Sequence, residues 1–234
     1  MIDQQVTNNP LRTGLKDHFT DRQRRRLEAA CVGIAGAGGL GSNVAVHLVR
    51  SGIGRLVVVD FDRVAPSNLN RQFYFTDQVG MPKVQALAIN LKRINPGLVI
   101  QPLDIRLDAS IVAGVFESCQ VIVEALDEVR TKTMMADAFL TDTRLLVCAS
   151  GIGGWGDSDR IRTRRLGESF VLVGDETSEV CTDRPPTSAI VGLAAAKQAD
   201  AVIEALMGRA STAKEGKREG NFSFGSRCPK IIEP

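Results

Sequence analysis

The sequence predicts an α/β fold, a doubly wound and mostly parallel sheet with an antiparallel C-terminal extension and a final helix. Three observations support this prediction. Short apolar runs alternate with segments of helical periodicity as far as residue 150. The runs are apolar on both faces, which is typical of parallel strands covered by helices. A glycine-rich turn joins the first run to the helix that follows it.

The elements follow in order along the chain. Residues 1–20 are polar and are interpreted as an N-terminal arm, and residues 21–30 suit a short helix with a basic face. The predicted strands are Cys31–Ala35, Arg55–Asp60, Leu98–Ile105, Val121–Leu126 and Leu145–Ser150. The helices between them are predicted to follow the glycine-rich turn, to begin at Pro82, to span Asp108–Ser118 and to span Val129–Leu140.

The pattern changes after residue 150. Residues 155–173 alternate in the manner of antiparallel strands, and residues 174–188 form a polar loop. A helix over Ile190–Met207 closes a single predicted domain at residues 21–208, and residues 209–234 have the composition of a disordered tail. In doubly wound sheets, ligands bind at the carboxyl ends of the strands.

Composition excludes several classes of protein. The 234 residues include 29 basic and 27 acidic side chains, and a formal net charge of +2 does not indicate a nucleic-acid partner. The five cysteines are scattered without a C-x-x-C pair, so we expect no disulfide framework and no zinc site. We also expect no membrane association and a cytoplasmic location, because no apolar run approaches ~20 residues and the N-terminus lacks a signal-peptide core.

The glycine-rich turn has the spacing of a nucleotide-binding motif. Gly36, Gly38 and Gly41 form G-x-G-x-x-G between a predicted strand and a predicted helix. Asp60 ends the next strand, where a carboxylate can accept hydrogen bonds from ribose hydroxyls. This pattern predicts a Rossmann-like nucleotide-binding domain. It fits a nicotinamide or flavin enzyme as well as an ATP-binding one.

The residues after this strand favour ATP. Asn68, Arg71 and Gln72 lie in a long polar loop, and Lys83 begins the next helix. Arginine and lysine beside a nucleotide suit the charge of a triphosphate. Asp127 follows the fourth strand, where its carboxylate could hold Mg²⁺. Solvated surface cations, and a helix N-cap at Asp127, are the alternatives to these roles.

The stretch GIAGAGGLGSNVAVHLVRSGIGRLVVVDFDRVAPSNLNRQ resembles the signature of the ubiquitin-activating-enzyme superfamily, whose bacterial members are the ThiF and MoeB adenylyltransferases. The SNLxRQ element is not a general Rossmann feature. The resemblance covers residues 28–208 and is strongest over 32–83. It is closest to the short, zinc-less ThiF-like proteins of thiamine biosynthesis.

The resemblance implies ATP- and Mg²⁺-dependent adenylation of the C-terminal Gly-Gly carboxylate of a small ubiquitin-like (ThiS-like) sulfur carrier protein. It also implies a ThiF-type domain that acts as a homodimer. The residues that it assigns to the nucleotide are Gly36, Gly38, Gly39, Gly41, Asp60, Asp62, Asn68, Arg71, Gln72 and Lys83. The catalytic residues that it implies are Arg71, Lys83, the metal-binding Asp127, and Cys181 as a residue that forms a covalent link with the carrier.

Other interpretations stay open at this point. The residues themselves favour an incidental free cysteine at Cys181 over a reactive one. Glu124, just upstream of Asp127, is also read as a capped or paired strand residue. The Asp127-Glu128 pair departs from the family's Asp-Asn. A nicotinamide-dependent oxidoreductase, a non-catalytic member that binds nucleotide or a ubiquitin-like protein, and an enzyme that activates a small-molecule or tRNA carboxylate are the competing functions.

Overall fold

The computed structural model describes residues 9–139 and 142–208. Part of the predicted arm, residues 1–8, and the whole predicted tail at 209–234 lie outside the described residues. The strands are β1 (Cys31–Ala35), β2 (Arg55–Val59), β3 (Val99–Leu103), β4 (Val121–Glu124), β5 (Leu145–Ala149), β6 (Arg162–Arg165) and β7 (Phe170–Gly174).

These seven strands form one sheet in the order β3-β2-β1-β4-β5-β7-β6. All neighbours are parallel except the antiparallel pair β6 and β7. The predicted fold class is therefore confirmed. The extension is not a separate layer, because β7 pairs in parallel with β5 and lengthens the same sheet.

The helices after residue 20 agree with the predicted order, and Pro10–Gly14 forms an additional short helix inside the segment that was interpreted as an N-terminal arm. One was predicted too long, because α5 covers only four residues of the expected 108–118 segment. The Asp108 carboxylate accepts hydrogen bonds from the amides of Ser110 and Ile111, and this turn occupies the start of the segment. The helices are α1 (Pro10–Gly14), α2 (Asp21–Ala29), α3 (Gly39–Arg50), α4 (Lys83–Ile94), α5 (Val112–Val115), α6 (Val129–Phe139) and α7 (Ser188–Met207).

Two apolar layers cover the sheet. One face packs against α2, α3, α4 and α7, and the other packs against α5 and α6 around Phe116 and Phe139. Gly33 in β1 permits this second contact, because a Cβ there would lie 2.5 Å from Cδ1 of Phe116. Each large apolar side chain buried in this way contributes ~1.5–3 kcal/mol to stability. No helix in the described ranges has the length and apolarity to cross a membrane.

The topology places the sequence motifs at one edge of the sheet. Because β1, β2, β4, β5 and β7 are parallel, their carboxyl ends lie side by side. The glycine turn (residues 36–41) follows β1, Asp60 follows β2, and Asp127 lies in the turn after β4. The candidate functional site is this edge.

Candidate functional site

The glycine turn can be made only by glycine at its first and last positions. Gly36 has φ +95°, and a Cβ on it would lie 2.6 Å from the carbonyl oxygen of Ala125. A Cβ on Gly41 would lie 1.8 Å from the carbonyl oxygen of Gly36. The turn is therefore a sharp bend that leads straight from β1 into α3.

The N-terminus of α3 is open toward this edge. Gly38 is its N-cap and has no side chain to bind the first amides. The first helical amide to be bonded is that of Ser42, which donates to the carbonyl of Gly38 at 3.0 Å. The nearest heavy atom to a Cβ built on Gly38 is Nε2 of Gln72, at 3.9 Å. Uncapped amides and the helix dipole make this a site suited to an anion such as phosphate.

Asp60 is oriented by the backbone. Its Oδ2 accepts a hydrogen bond from the amide of Ala37 at 2.7 Å, and its Oδ1 accepts from the amide of Asp62 at 2.8 Å. Each carboxylate oxygen keeps a lone pair for a further donor, so ribose hydroxyls could bind here. The carboxylate of Asp60 therefore lies directly beside the glycine turn, as the sequence predicted.

Tyr74 is a site residue that sequence reasoning missed. Its buried hydroxyl donates to the carbonyl of Ala37 at 2.7 Å and so stabilises the glycine turn. Burial, with added repulsion from the charges of Asp60 and Asp62, raises the pKa of Tyr74 far above its ordinary value. The phenol thus stays a hydrogen-bond donor at every pH that the protein would meet.

Lys83 is not a solvated surface cation, so that alternative is wrong. It is only 6% exposed, and its Nζ donates to Oδ2 of Asp62 at 2.7 Å. The amide of Lys83 also donates to the carbonyl of Asp62 at 2.9 Å. A buried ammonium group needs such a partner. Asp62 is half exposed, so the pair lies between the core and the open edge.

Arg71 crosses the start of α3. Its Cγ lies 3.6 Å from the position of a Cβ on Gly39, and its Nη1 donates to the carbonyl of Ser67 and to Oδ1 of Asn70 at 2.9 and 2.8 Å. The guanidinium retains further N–H donors. Its charge therefore lies close to the anion-binding end of α3.

Gln72 and Asn68 differ in what they can offer a ligand. Gln72 is 8% exposed, and its Oε1 has no hydrogen-bond partner among the described residues. A buried acceptor without a donor is costly and indicates a missing partner. Asn68 uses its Oδ1 to accept from the amide of Ala65 at 2.9 Å, so it shapes the loop.

Two further side chains tie this loop to α3, and the sequence analysis did not identify them. The Ser42 hydroxyl donates to the carbonyl of Gly38 at 2.7 Å and accepts from the amide of Phe73 at 3.0 Å. Nδ2 of Asn43 donates to the carbonyls of Gly39 and Arg71 at 2.7 and 2.9 Å. The sequence signal for them was the Ser-Asn pair directly after Gly41. Side chains of these types, four residues after Gly38 and Gly39, can bond to the backbone at the helix start.

Asp127 lies exposed at the same edge. Within the described ranges its carboxylate makes no hydrogen bond or ion pair. The amide of Lys132 donates to the carbonyl of Glu128 at 3.0 Å, so the helical turn begins at Glu128 rather than at Asp127. A free carboxylate is the ligand type that Mg²⁺ prefers. The described residues contain no group of three His, Cys, Asp or Glu side chains that could hold a metal ion by themselves.

Cys181 is exposed in the roof loop, which we define as residues 175–187. Its backbone forms two hydrogen bonds with that of Arg184, at 3.3 and 3.1 Å. The carbonyl of Pro186 accepts from Nδ2 of Asn70 at 3.3 Å, so the roof loop is joined to the loop of Arg71. The roof loop therefore ends beside the candidate site.

A cavity of about 300 Å³ separates the roof loop from the loop after β5. Arg160 joins the two loops, because it donates to the carbonyl of Gly153 at 2.6 Å, to the Ser178 hydroxyl at 2.8 Å, and to Asp175. Burial alone would raise the pKa of Asp175. Hydrogen bonds from the Ser178 hydroxyl, from the amides of Ser178 and Thr177, and from Arg160 outweigh it and hold the pKa well below the ordinary value.

Asp175→Asn is therefore expected to destabilise the protein by ~1–3 kcal/mol at neutral pH, because the roof-loop donors lose a charged acceptor. A lowered pKa contributes stability that is complete above the ordinary value of 3.8 and is lost as the pH falls toward the folded-state value. The difference between wild type and variant should thus shrink below about pH 4. Urea unfolding at several pH values measures it. Glu176→Gln, in an exposed pair with Arg164, is the control and should change little.

The ThiF family matches residues 12–224 of this chain. The chain is 36% identical to the adenylyltransferase and sulfurtransferase MOCS3 of Caenorhabditis briggsae over 139 aligned residues. The alignment covers 59% of this chain and 35% of that protein. It is 37% identical to the sulfur carrier protein adenylyltransferase of Thermus thermophilus over 116 aligned residues. This alignment covers 49% of this chain and 43% of that protein. The chain thus aligns with less than half the length of these curated relatives.

Solved structures show the same fold. The crystal structure of Escherichia coli tRNA N6-threonylcarbamoyladenosine dehydratase TcdA, in complex with ATP, superposes with a TM-score of 0.76 at 20% sequence identity. The superposition covers 83% of this chain and 93% of that one. At this level of identity the likeness establishes the fold alone.

Proposed function

This chain belongs to the ThiF family, and from that membership we propose that it is an ATP-dependent adenylyltransferase of a small ubiquitin-like sulfur carrier protein. The acceptor is the C-terminal Gly-Gly carboxylate of the carrier, and the products are acyl-adenylate and pyrophosphate. The observation that carries the proposal is Arg71 lying across the uncapped N-terminus of α3, with Asp60 beside the same turn. The names of the relatives from Caenorhabditis briggsae and Thermus thermophilus support it.

The site fits a nucleoside triphosphate. The amides at the start of α3 face the position of a phosphate, and Asp60 keeps acceptor capacity for a ribose. The unpartnered Oε1 of Gln72 can accept from a hydroxyl or amino group of the nucleotide. Lys83 gives one of its three donors to Asp62 and keeps two for phosphate oxygens.

In the proposed step, an oxygen of the carrier carboxylate attacks the α-phosphorus of ATP. The new C–O–P bond forms as the bond to pyrophosphate breaks, and its electron pair leaves with the pyrophosphate oxygen. Charge grows on the phosphate oxygens, where Arg71, Lys83 and the α3 amides stabilise it. No protein nucleophile is needed. Asp127 would hold Mg²⁺, which neutralises phosphate charge when bound.

A nicotinamide-dependent oxidoreductase would use the same glycine turn and Asp60. It leaves the pair of buried Lys83 with half-exposed Asp62, and the position of Arg71, without a role, so we do not favour it. We further propose a cytoplasmic homodimer that acts in thiamine biosynthesis, on the resemblance to short ThiF-like proteins. In the same proposal, the Cys181 thiolate attacks the carbonyl carbon of the acyl-adenylate, so that a thioester link with the carrier forms as the bond to AMP breaks and AMP leaves. Its loop is exposed and is joined to Asn70.

Asp60→Asn is expected to weaken ATP binding by about 10- to 100-fold, because charged acceptors form the stronger hydrogen bonds. One backbone amide, of Ala37 or Asp62, would also face the new NH₂ group. Isothermal titration calorimetry with ATP measures the loss. Asp200→Asn, at an exposed acid in the interior of α7, is the matched control and should bind ATP normally. Unchanged affinity in Asp60→Asn would contradict the placement of the ribose.

Mass spectrometry of the carrier tests the proposed function. Purified protein is mixed with ATP, Mg²⁺ and a carrier that ends in Gly-Gly, and the intact carrier is weighed. We expect the carrier to gain one AMP group, and a carrier that lacks its last glycine to gain none. If AMP appears on a small acid or a tRNA and not on the carrier, the acceptor assignment is wrong.

A further inference from the structure

Strands β4 and β5 separate just before the candidate site. Their pairing ends at Val123 and Val147, although β4 stays paired with β1 as far as Glu124. Beyond this point, side chains donate hydrogen bonds to the carbonyls of Glu124 and Ala149. Nε2 of Gln198, on α7, reaches into the gap and donates to the carbonyls of Glu124 and Val147 at 3.1 and 3.4 Å. A side chain thus takes the place of the next ladder hydrogen bonds.

Lys132, on α6, fills the same gap from the other side of the sheet. Its Nζ donates to both carboxylate oxygens of Glu124 at 2.9 Å and to the carbonyl of Ala149 at 2.9 Å. All three ammonium donors are used. The interpretation of Glu124 as a paired strand residue is therefore confirmed, and its partner comes from the helix after the Asp127 turn.

The Glu124 carboxylate also fixes the chain that leads to Asp127. It is 1% exposed, and its Oε1 accepts from the amide of Leu126 at 2.7 Å. Burial raises the pKa of this carboxyl, and Lys132 opposes the rise. The bond to the Leu126 amide closes a tight turn only one residue before Asp127.

This turn is in contact with the glycine turn. The amide of Ala125 donates to the carbonyl of Ala35 at 2.8 Å, and a Cβ on Gly36 would lie 3.3 Å from Cδ2 of Leu126. On the other side, α7 carries both Gln198 and Val191, whose Cγ1 lies 3.0 Å from a Cβ position on Gly39. Lys132, Glu124 and Gln198 are thus connected to the turn before Asp127, to the glycine turn and, through α7, to the start of α3.

We propose that Lys132, Glu124 and Gln198 are positioning residues for the adenylation: they set the distance between Asp127 and the glycine turn. This inference rests on the proposed function. It differs from a stability role in a measurable way. A buried ion pair can often be replaced by apolar residues with little loss of stability. If Glu124 and Lys132 contribute only to stability, their replacement should therefore leave kcat unchanged.

Two variants separate the hydrogen bond from the charges. Glu124→Leu combined with Lys132→Met removes both charges together and leaves the Leu126 amide without its acceptor. Glu124→Gln keeps an oxygen for that amide. Asp142→Asn with Arg144→Met removes an ion pair just before the start of β5, at the opposite edge of the sheet, and serves as the control. The readouts are thermal unfolding, amide hydrogen exchange of residues 124–128, and kcat and KM in ATP–pyrophosphate exchange.

For the Leu/Met double variant we expect cooperative unfolding at a moderately lower temperature, because the Leu126 amide and the Ala149 carbonyl lose their partners. We also expect fast hydrogen exchange at Leu126 and a kcat that is lower by about tenfold or more. The KM for ATP should stay within about threefold, because Asp60 and α3 are untouched. Glu124→Gln should retain slow hydrogen exchange at the Leu126 amide and most of the wild-type kcat. The Asp142→Asn, Arg144→Met control should retain the slow exchange and the full kcat.

Slow hydrogen exchange at Leu126 in the double variant would show that Glu124 does not hold the turn and would overturn the proposal. A normal kcat together with a freed amide would overturn it as well. Wild-type ATP–pyrophosphate exchange reports separately on the proposed function. If the wild type is inactive, that function fails, while hydrogen exchange still decides whether Glu124 and Lys132 position the turn.

Discussion

Arg71→Ala is expected to lower ATP–pyrophosphate exchange by about 10²- to 10³-fold, the usual effect of removing one donor to developing transition-state charge. Its Cγ and Cδ lie 3.6 and 3.8 Å from a Cβ position on Gly39, in the first turn of α3, and its guanidinium donates to Ser67 and Asn70. Its contacts with Ser67 and Asn70 hold it there in advance, so little ordering is needed at the moment of reaction. The rate is measured with saturating ATP, Mg²⁺ and carrier.

A matched arginine provides the control for this prediction. Arg63 lies in the same polar segment, is exposed, and donates from Nη1 to the carbonyl of Gly80 at 2.8 Å. Arg63→Ala should leave the exchange rate within about threefold of wild type, as is usual for surface substitutions. Full turnover by Arg71→Ala would show that this arginine does not contact the reacting phosphates.

Gly41→Ala is expected to cost more than about 3 kcal/mol of stability and to abolish ATP binding. An alanine in a helix interior normally stabilises relative to glycine. Here the new Cβ would lie 1.8 Å from the carbonyl oxygen of Gly36, so the glycine turn has to open or α3 has to move away from β1. Urea unfolding and calorimetry with ATP measure the two effects.

Gly114→Ala is the control for the sign of this effect. Gly114 also lies in a helix, α5, and a Cβ there meets no atom within 4 Å. The substitution should be neutral or stabilising by about 0.5–1 kcal/mol. A Gly41→Ala protein that is stable and binds ATP would mean that the turn is not held in the described conformation.

The fold class could be predicted because its signal is local. Strands β1 and β5 are continuous apolar runs, β2 is apolar after Arg55, and β4 is apolar up to Glu124. The glycine turn marks where β1 meets α3. The pairing of β7 with β5 could not be predicted, because it joins segments that are separated by two loops. The pairing and register of strands that are distant in the chain depend on how the elements pack. They produce no periodic pattern in the amino-acid sequence from which they could be predicted.

The candidate site was predictable in part for the same reason. The glycines and Asp60 stand at fixed positions relative to strand ends, so their convergence follows from parallel topology. The burial of Lys83 against Asp62 and the support of Ala37 by Tyr74 were not predictable from spacing. They depend on how the polar loop folds back on the sheet.

ATP–pyrophosphate exchange, with and without a carrier that ends in Gly-Gly, tests the central claim most directly. The wild-type protein with Mg²⁺ should exchange label only when the carrier is present, and Arg71→Ala should lose that exchange. Binding of NAD in place of ATP, with no exchange under any of these conditions, would contradict the assignment of this chain as a carrier-protein adenylyltransferase.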